Sequence, residues 1–219
     1  MTDDVNLKGT LTLILGGARS GKSQFGQSLA QELGGDDVLF VATAEAHDRE
    51  MARRIDLHRR GRPSAWPTLE QPLDVGKTLS RRASLPSVVL VDCLTLLVSN
   101  VLLSRGDWES GSPGNSSEAM DAIEQRMREE VGELIGVVQQ RAVHLIIVSG
   151  EVGMGLVPEH ALSRCFRDLL GWSNQTCAKV AMSTYLMVAG LPVNATAIAS
   201  GVQQAAHDLQ RAHLLVVQP

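Results

Sequence analysis

Residues 16 to 23 read Gly16-Gly17-Ala18-Arg19-Ser20-Gly21-Lys22-Ser23. The spacing G-x-x-x-x-G-K-S is that of a phosphate-binding loop. Its glycines let the backbone curl around a phosphate with N–H groups turned inward, Lys22 reaches the outer phosphates, and Ser23 ligates Mg²⁺. A second chemical candidate is Asp92, which ends the apolar run Val88-Val89-Leu90-Val91. A carboxylate there can hold the same Mg²⁺, directly or through water, or can cap the turn that follows the strand. A third is His58, flanked by Arg59, Arg60 and Arg62. A neutral imidazole among cations can attack an α-phosphate and form a nucleotidyl adduct that a second phosphate later opens. The same ring can cap the last carbonyls of a helix. Neighbouring cations disfavour the imidazolium while a helix C-terminus favours it, so the residues by themselves leave both readings open.

These groups need a scaffold, and the pattern around them supplies one. The loop follows Leu11-Thr12-Leu13-Ile14-Leu15 and precedes the helix-prone stretch Gln24 to Glu32, a strand, turn and helix whose N-terminal partial charge falls on the bound phosphate. Aliphatic runs recur at Leu11–Leu15, Val38–Ala42, Val88–Asp92, His144–Ser149, Tyr185–Ala189 and His213–Val217. Their near-continuous apolarity predicts strands buried on both faces, hence a mainly parallel sheet with helices on both faces. Between them, Met120, Ile123, Met127, Val131, Leu134 and Val138 recur at helical spacing, as do Leu162, Phe166, Leu169, Ser173, Cys177 and Val180. Pro158 is expected in the first turn of the second of these helices. Met51, Ile55 and His58 share one face of a helix expected over residues 48–60, which Gly61 and Pro63 end. Residues 104–117 form a polar insertion, expected as a surface loop, with Trp108 inside it. The fold class is α/β, a P-loop NTPase, in a single domain over residues 1–219.

Composition narrows the partners. A net charge of −4 gives no basic field for a nucleic-acid backbone, and aromatic residues make up only 3% of the chain, too few for stacking platforms. Nucleic acid is therefore not an expected partner. Cys93, Cys165 and Cys177 form no C-x-x-C pair and are odd in number, which argues against a disulfide framework and a zinc site and points to a reducing compartment. Met1 to Lys8 has no signal-like apolar stretch and no window approaches a membrane span, so a soluble, cytoplasmic protein is expected.

The motifs together resemble a known family. Gly16 to Ser23, Phe40-Val41-Ala42-Thr43-Ala44, Met51-Ala52-Arg53-Arg54-Ile55 with His58 and Arg62-Pro63, then Trp66 and Glu70, are similar to the bifunctional adenosylcobinamide kinase / adenosylcobinamide-phosphate guanylyltransferases of cobalamin biosynthesis. Val148-Ser149-Gly150-Glu151-Val152-Gly153-Met154-Gly155-Leu156-Val157-Pro158-Glu159, with Phe166-Arg167-Asp168 and Asn174-Gln175, extends the likeness, which runs from about residue 11 to about residue 190.

The resemblance implies a RecA-like P-loop fold and two successive reactions on a corrinoid lacking its lower nucleotide loop. A nucleoside triphosphate, ATP or GTP, phosphorylates the aminopropanol hydroxyl of adenosylcobinamide; GTP then donates GMP through a histidine adduct to that phosphate, with Mg²⁺ as cofactor and pyrophosphate as by-product. It implies His58 as the guanylylated residue, Lys22 as its catalytic partner in the phosphate loop, and nucleotide or metal contacts at Thr43, Ala44, Glu45, Arg59, Arg60, Gly61, Arg62, Glu70 and Asp92. It also implies a homo-oligomer, a trimer in family members. Two departures stand out. Some members carry two adjacent histidines where this chain has Leu57-His58, so only His58 can serve; and Gly150 stands where many members have Asn. Glu151 to Gly155 lies at the carboxyl end of a strand, where α/β sheets bind ligands, and is expected on the substrate side. Without the resemblance, a single-activity kinase of another small alcohol and a non-enzymatic nucleotide switch are the competing readings.

Overall fold

Strands form where the aliphatic runs lie. The computed structural model describes residues 7–45, 49, 53, 59, 61–104, 117–199 and 201. Its elements are, in order, β1 (Thr10–Gly16), α1 (Lys22–Gly34), β2 (Val38–Ala42), β3 (Thr68–Glu70), α2 (Val75–Arg81), β4 (Val88–Asp92), α3 (Leu94–Leu103), α4 (Ser117–Gln140), β5 (His144–Gly150), α5 (Ala161–Val180), β6 (Ser183–Val188), β7 (Leu191–Asn194) and α6 (Ala195–Ile198). The seven strands make one sheet in the order β3-β2-β4-β5-β1-β6-β7, parallel except for β7, which runs antiparallel to β6. β5 stands between the phosphate-loop strand and the aspartate strand, the RecA-like arrangement of P-loop proteins.

Alternation along each strand divides the core in two, because successive side chains point to opposite faces. Leu11, Leu13, Leu39, Val41, Val89, Val91, Leu145 and Ile147 face one way, towards a larger core that includes buried side chains of α2, α3, α4 and α5. Ile14, Val38, Phe40, Val88, Leu90, Ile146 and Val148 face the other way, under α1 and Trp66. The helical stripes behave as the spacing predicts: Ile123, Met127, Val131, Leu134 and Val138 are buried on α4, and Leu169, Ser173 and Cys177 on α5. Among the described residues, one buried carboxylate breaks the apolar pattern. Glu130 of α4 is fully enclosed and accepts bonds from Asp74 N and Arg126 Nη2, both at 2.6 Å. Burial raises its pKa, and the Asp74 amide and Arg126 guanidinium oppose that rise.

Two boundaries shift for a structural reason, and one edge strand adds to the expected set. Pro158 lies outside α5, whose N-cap is His160; its carbonyl instead accepts a bond from Arg164 Nη1 at 3.0 Å. The strand expected over Tyr185–Ala189 is Ser183–Val188, because Ala189 and Gly190 take φ of 50° and 83°. Two successive positive-φ residues make the tight hairpin turn between antiparallel strands. The sequence reading passed over β7, which carries Pro192 and so sits at the edge of the sheet, where a missing N–H is tolerated. The strand expected at His213–Val217 lies outside the described residues. So do residues 105–116 of the polar insertion, flanked by Ser104, which caps α3, and Ser117, which opens α4.

Candidate functional site

The parallel register brings the carboxyl ends of four strands to one edge. Gly16 pairs with Gly150, Ala42 with Asp92, and Asp92 with Val148. Chain segments leaving these ends enclose a cleft of about 590 Å³. Its walls include Gly16, Ala18, Arg19, Lys22 and Ser23 from the loop, Ala42 and Ala44 beyond β2, and Arg62 and Asp92.

The loop keeps its shape through its own backbone and the neighbouring hairpin. Gly21 sits at φ 92°, a left-handed conformation that costs a side-chain-bearing residue and not glycine. An added Cβ there would lie 3.2 Å from Gly190 Cα, so the β6–β7 turn packs directly on the loop, and Gly190 N donates to Ser20 O at 3.0 Å. Lys22 Nζ donates to Gly17 O at 3.0 Å, curling back over the loop. Ser23 Oγ donates to Asp92 Oδ1 at 3.3 Å, bringing together the two oxygen ligands expected for a divalent cation. Among the described residues, Ser20 Oγ is buried with no hydrogen-bond partner.

The opposite wall is set by Trp66. Its ring is buried beneath the sheet and its Nε1 donates to Gly35 O at 2.9 Å, tying the 61–67 segment to the end of α1. This places the Arg62 guanidinium over Phe40, with Cζ 3.4 Å from the ring centroid. Among the described residues, Arg62 Nε and Nη1 are buried without a partner. Burial disfavours its charge, Asp92 favours it, and Arg59 opposes it. A cation held this way is completed by an anion entering the cleft.

Thr43 is placed differently from the expectation of a nucleotide contact. It is fully buried, and its hydroxyl donates to Cys93 O at 2.7 Å and accepts from Cys93 N at 2.8 Å. It fixes the backbone just after Asp92 and does not face the cleft. Asn100, a lone amide in the apolar helix α3, donates to Thr43 O at 2.8 Å and to Pro72 O at 3.0 Å, holding that clamp from behind. Glu45, Gly61 and Glu70 are exposed and do not line the cleft; Glu70 pairs with Arg59. His58 and Arg60 lie outside the described residues, and within 48–60 the described Arg49, Arg53 and Arg59 have helical backbone.

The sequence reading missed several residues of this site. Cys93, Thr95 and Leu96 line the cleft. The Cys93 thiol is pushed up to about 11 by burial and by Asp92, so it is not a competing nucleophile near neutrality. Thr95 Oγ1 accepts from Gly150 N at 2.6 Å, Asn174 Nδ2 donates to Gly150 O at 2.9 Å, and Ser149 Oγ donates to Asn174 Oδ1 at 2.6 Å. An added Cβ at Gly150 would lie 3.0 Å from Thr95 Oγ1, so a side chain here would crowd the cleft wall. The hydroxyl three residues after Asp92, at the head of a helix, was the legible signal for Thr95.

A RecA-like parallel sheet with a phosphate loop facing a strand-end aspartate defines a P-loop NTPase. The sequence profile of the family described as "Cobinamide kinase / cobinamide phosphate guanyltransferase" matches residues 12–195, and the chain belongs to that family. It is 42% identical over 181 residues to the bifunctional adenosylcobalamin biosynthesis protein CobP of Pseudomonas aeruginosa PAO1, covering 83% of this chain and 94% of that protein. It is 37% identical over 183 residues to the corresponding CobU of Escherichia coli K12, covering 84% and 98%. The CobU of Salmonella typhimurium LT2 is 36% identical over 185 residues, covering 84% and 98%. Among solved structures, an ATPase domain aligns with a TM-score of 0.44 at 15% identity over 82% of this chain and 69% of that one.

Proposed function

We propose that this chain phosphorylates adenosylcobinamide and then transfers GMP from GTP to the new phosphate, releasing pyrophosphate, with both reactions in one domain. The observation that carries the reading is the convergence of Lys22, Ser23, Asp92 and the Arg62 guanidinium, two of whose nitrogens have no partner among the described residues, on one cleft of triphosphate scale. Family membership supplies the acceptor.

In the first reaction the acceptor hydroxyl displaces the γ-phosphoryl group and a nucleoside diphosphate leaves. Lys22 and the loop amides neutralise charge on the transferring group. In the second, an imidazole nitrogen of His58 attacks the α-phosphorus of GTP and pyrophosphate leaves. A phosphate oxygen of the acceptor then breaks the nitrogen–phosphorus bond, regenerating His58. Arg62, held over the Phe40 ring, binds phosphate oxygens. Thr43 and Asn100 act through the backbone by fixing the exit of β4.

Ser23 Oγ and the Asp92 carboxylate form a hard oxygen pair that suits Mg²⁺. When bound, Mg²⁺ neutralises triphosphate charge. Three free cysteines are consistent with a reducing, cytoplasmic setting. Among the described residues no helix is long and apolar enough to cross a membrane. The exposed apolar side chains of Val188, Leu191 and Val193 on the β6–β7 edge support assembly with further copies of the chain, a trimer by family likeness.

The test is turnover of cobinamide with Mg²⁺, ATP and GTP, followed by mass spectrometry of the corrinoid. Cobinamide phosphate and then cobinamide-GDP are expected. Recovery of unmodified cobinamide alone would remove the reading.

A further inference from the structure

Immediately beyond the cleft, the chain leaves β5 through Glu151 and runs to the N-cap of α5. Over Val152 to Val157 it turns its large apolar side chains outward: Val152 is 38% exposed, Met154 80%, Leu156 95% and Val157 65%. Single exposed apolar residues are ordinary on protein surfaces, but four within six positions form a patch of the kind that marks a binding surface.

The patch is held in place by bonds that leave those side chains free. At its start, Glu151 N donates to Gly16 O at 3.0 Å, tying it to the phosphate loop. Gly150 is fixed on both sides by Thr95 and Asn174, and Gly153 N donates to Glu151 Oε1 at 2.6 Å. At its end, Arg164 Nη1 donates to the carbonyls of Pro158 and Glu159. The apolar groups are therefore presented on an anchored turn, which lowers the ordering cost of binding. Val152 itself lines the nucleotide cleft.

We infer that Val152–Val157 is the platform for the corrinoid acceptor, with the methyl-bearing face of the macrocycle over Met154 and Leu156 and the hydroxyl arm reaching past Val152 into the cleft. This rests on cobinamide being the acceptor. Continuity with the cleft selects this occupant over a second copy of the chain. Whatever covers Val152 also covers the cleft mouth, where an acceptor oxygen must sit to meet the terminal phosphate. The β6–β7 edge offers a separate apolar surface for self-association.

The test is the double variant Met154→Gln, Leu156→Gln, with Met154→Leu, Leu156→Met as the conservative control. Cobinamide binding is measured by equilibrium dialysis, GTP binding by calorimetry and mass by sedimentation. The polar variant should bind cobinamide about 10-fold or more weakly, as loss of apolar burial on this scale requires, while the GTP dissociation constant and mass stay unchanged. The conservative variant should bind like wild type. Cobinamide affinity within about two-fold of wild type in the polar variant, or a fall in mass, overturns the assignment. A wild-type protein that binds no cobinamide overturns the acceptor reading and the platform with it, so the two failures are distinguishable.

Discussion

The two walls of the cleft treat their charged groups in opposite ways. On the phosphate-loop wall, Lys22 is bonded to Gly17, Ser23 to Asp92, and Ser20 O to Gly190 N. On the facing wall, Arg62 lies over Phe40 with two buried nitrogens unmatched among the described residues. The first wall is a cradle whose shape the protein holds by itself. The second carries a cation whose desolvation is offset only when an anion arrives. One wall thus sets geometry and the other contributes affinity, and variants on the two should fail differently.

The largest effect is expected for Lys22→Ala. Removing a charge aimed at the transferring phosphate should lower kcat for both reactions by roughly 10²- to 10³-fold, the scale of one preorganised electrostatic donor. Steady-state assays of each reaction check this; loss of only one would mean that the loop serves a single chemistry. Arg62→Ala should instead weaken nucleotide binding by about 1.5–3 kcal/mol, the cost of a lost charge-assisted hydrogen bond, while thermal stability holds or rises because two unmatched buried donors are gone. Arg62→Lys should not restore affinity, since an ammonium neither stacks on Phe40 nor forks. Calorimetric titration with GTP and a melting curve separate these outcomes; a large fall in stability with unchanged binding would erase the contrast between the walls.

Thr43→Val tests the cradle from behind. It leaves Cys93 N–H and C=O without their partner, so stability should fall by about 1–3 kcal/mol and the Mg²⁺ concentration for half-maximal activity should rise. Denaturant unfolding and a Mg²⁺ titration report the two effects, and an unchanged titration would detach Thr43 from Asp92.

The smallest effect lies at the opposite end of the sheet, at His144, whose ring nitrogens meet Thr10 Oγ1 at 2.6 Å and Thr12 Oγ1 at 3.0 Å. Burial lowers its pKa below the unfolded value. The unfolded chain then binds more protons, so stability rises with pH across the histidine range and is lost as pH falls through the unfolded pKa towards the folded one. His144→Asn should flatten that slope in melting curves between about pH 5 and 7 and leave nucleotide affinity untouched.

What could be read from the chain was what local pattern encodes. The loop, Asp92 and the long strands and helices are contiguous, so periodicity and spacing reveal them. Residues that act across the fold left little trace: Asn100 meets a partner 57 positions away and Asn174 one 24 away. β3 has three residues and α2 seven, too short for a period to emerge. Thr43 shows the limit from the other side: the sequence singled out the residue, while only the fold shows its hydroxyl turned away from the cleft towards Cys93. Glu130 hides within an otherwise apolar stripe because its partners come from its own helix and from Asp74.

His58 is proposed to carry the guanylyl group from GTP to the acceptor phosphate. Incubation with α-labelled GTP followed by peptide mapping tests it most directly. An acid-labile, base-stable GMP label should map to the peptide containing His58 and vanish in His58→Ala, which should still phosphorylate cobinamide. Label retained by His58→Ala, or mapped to another residue, would contradict the account.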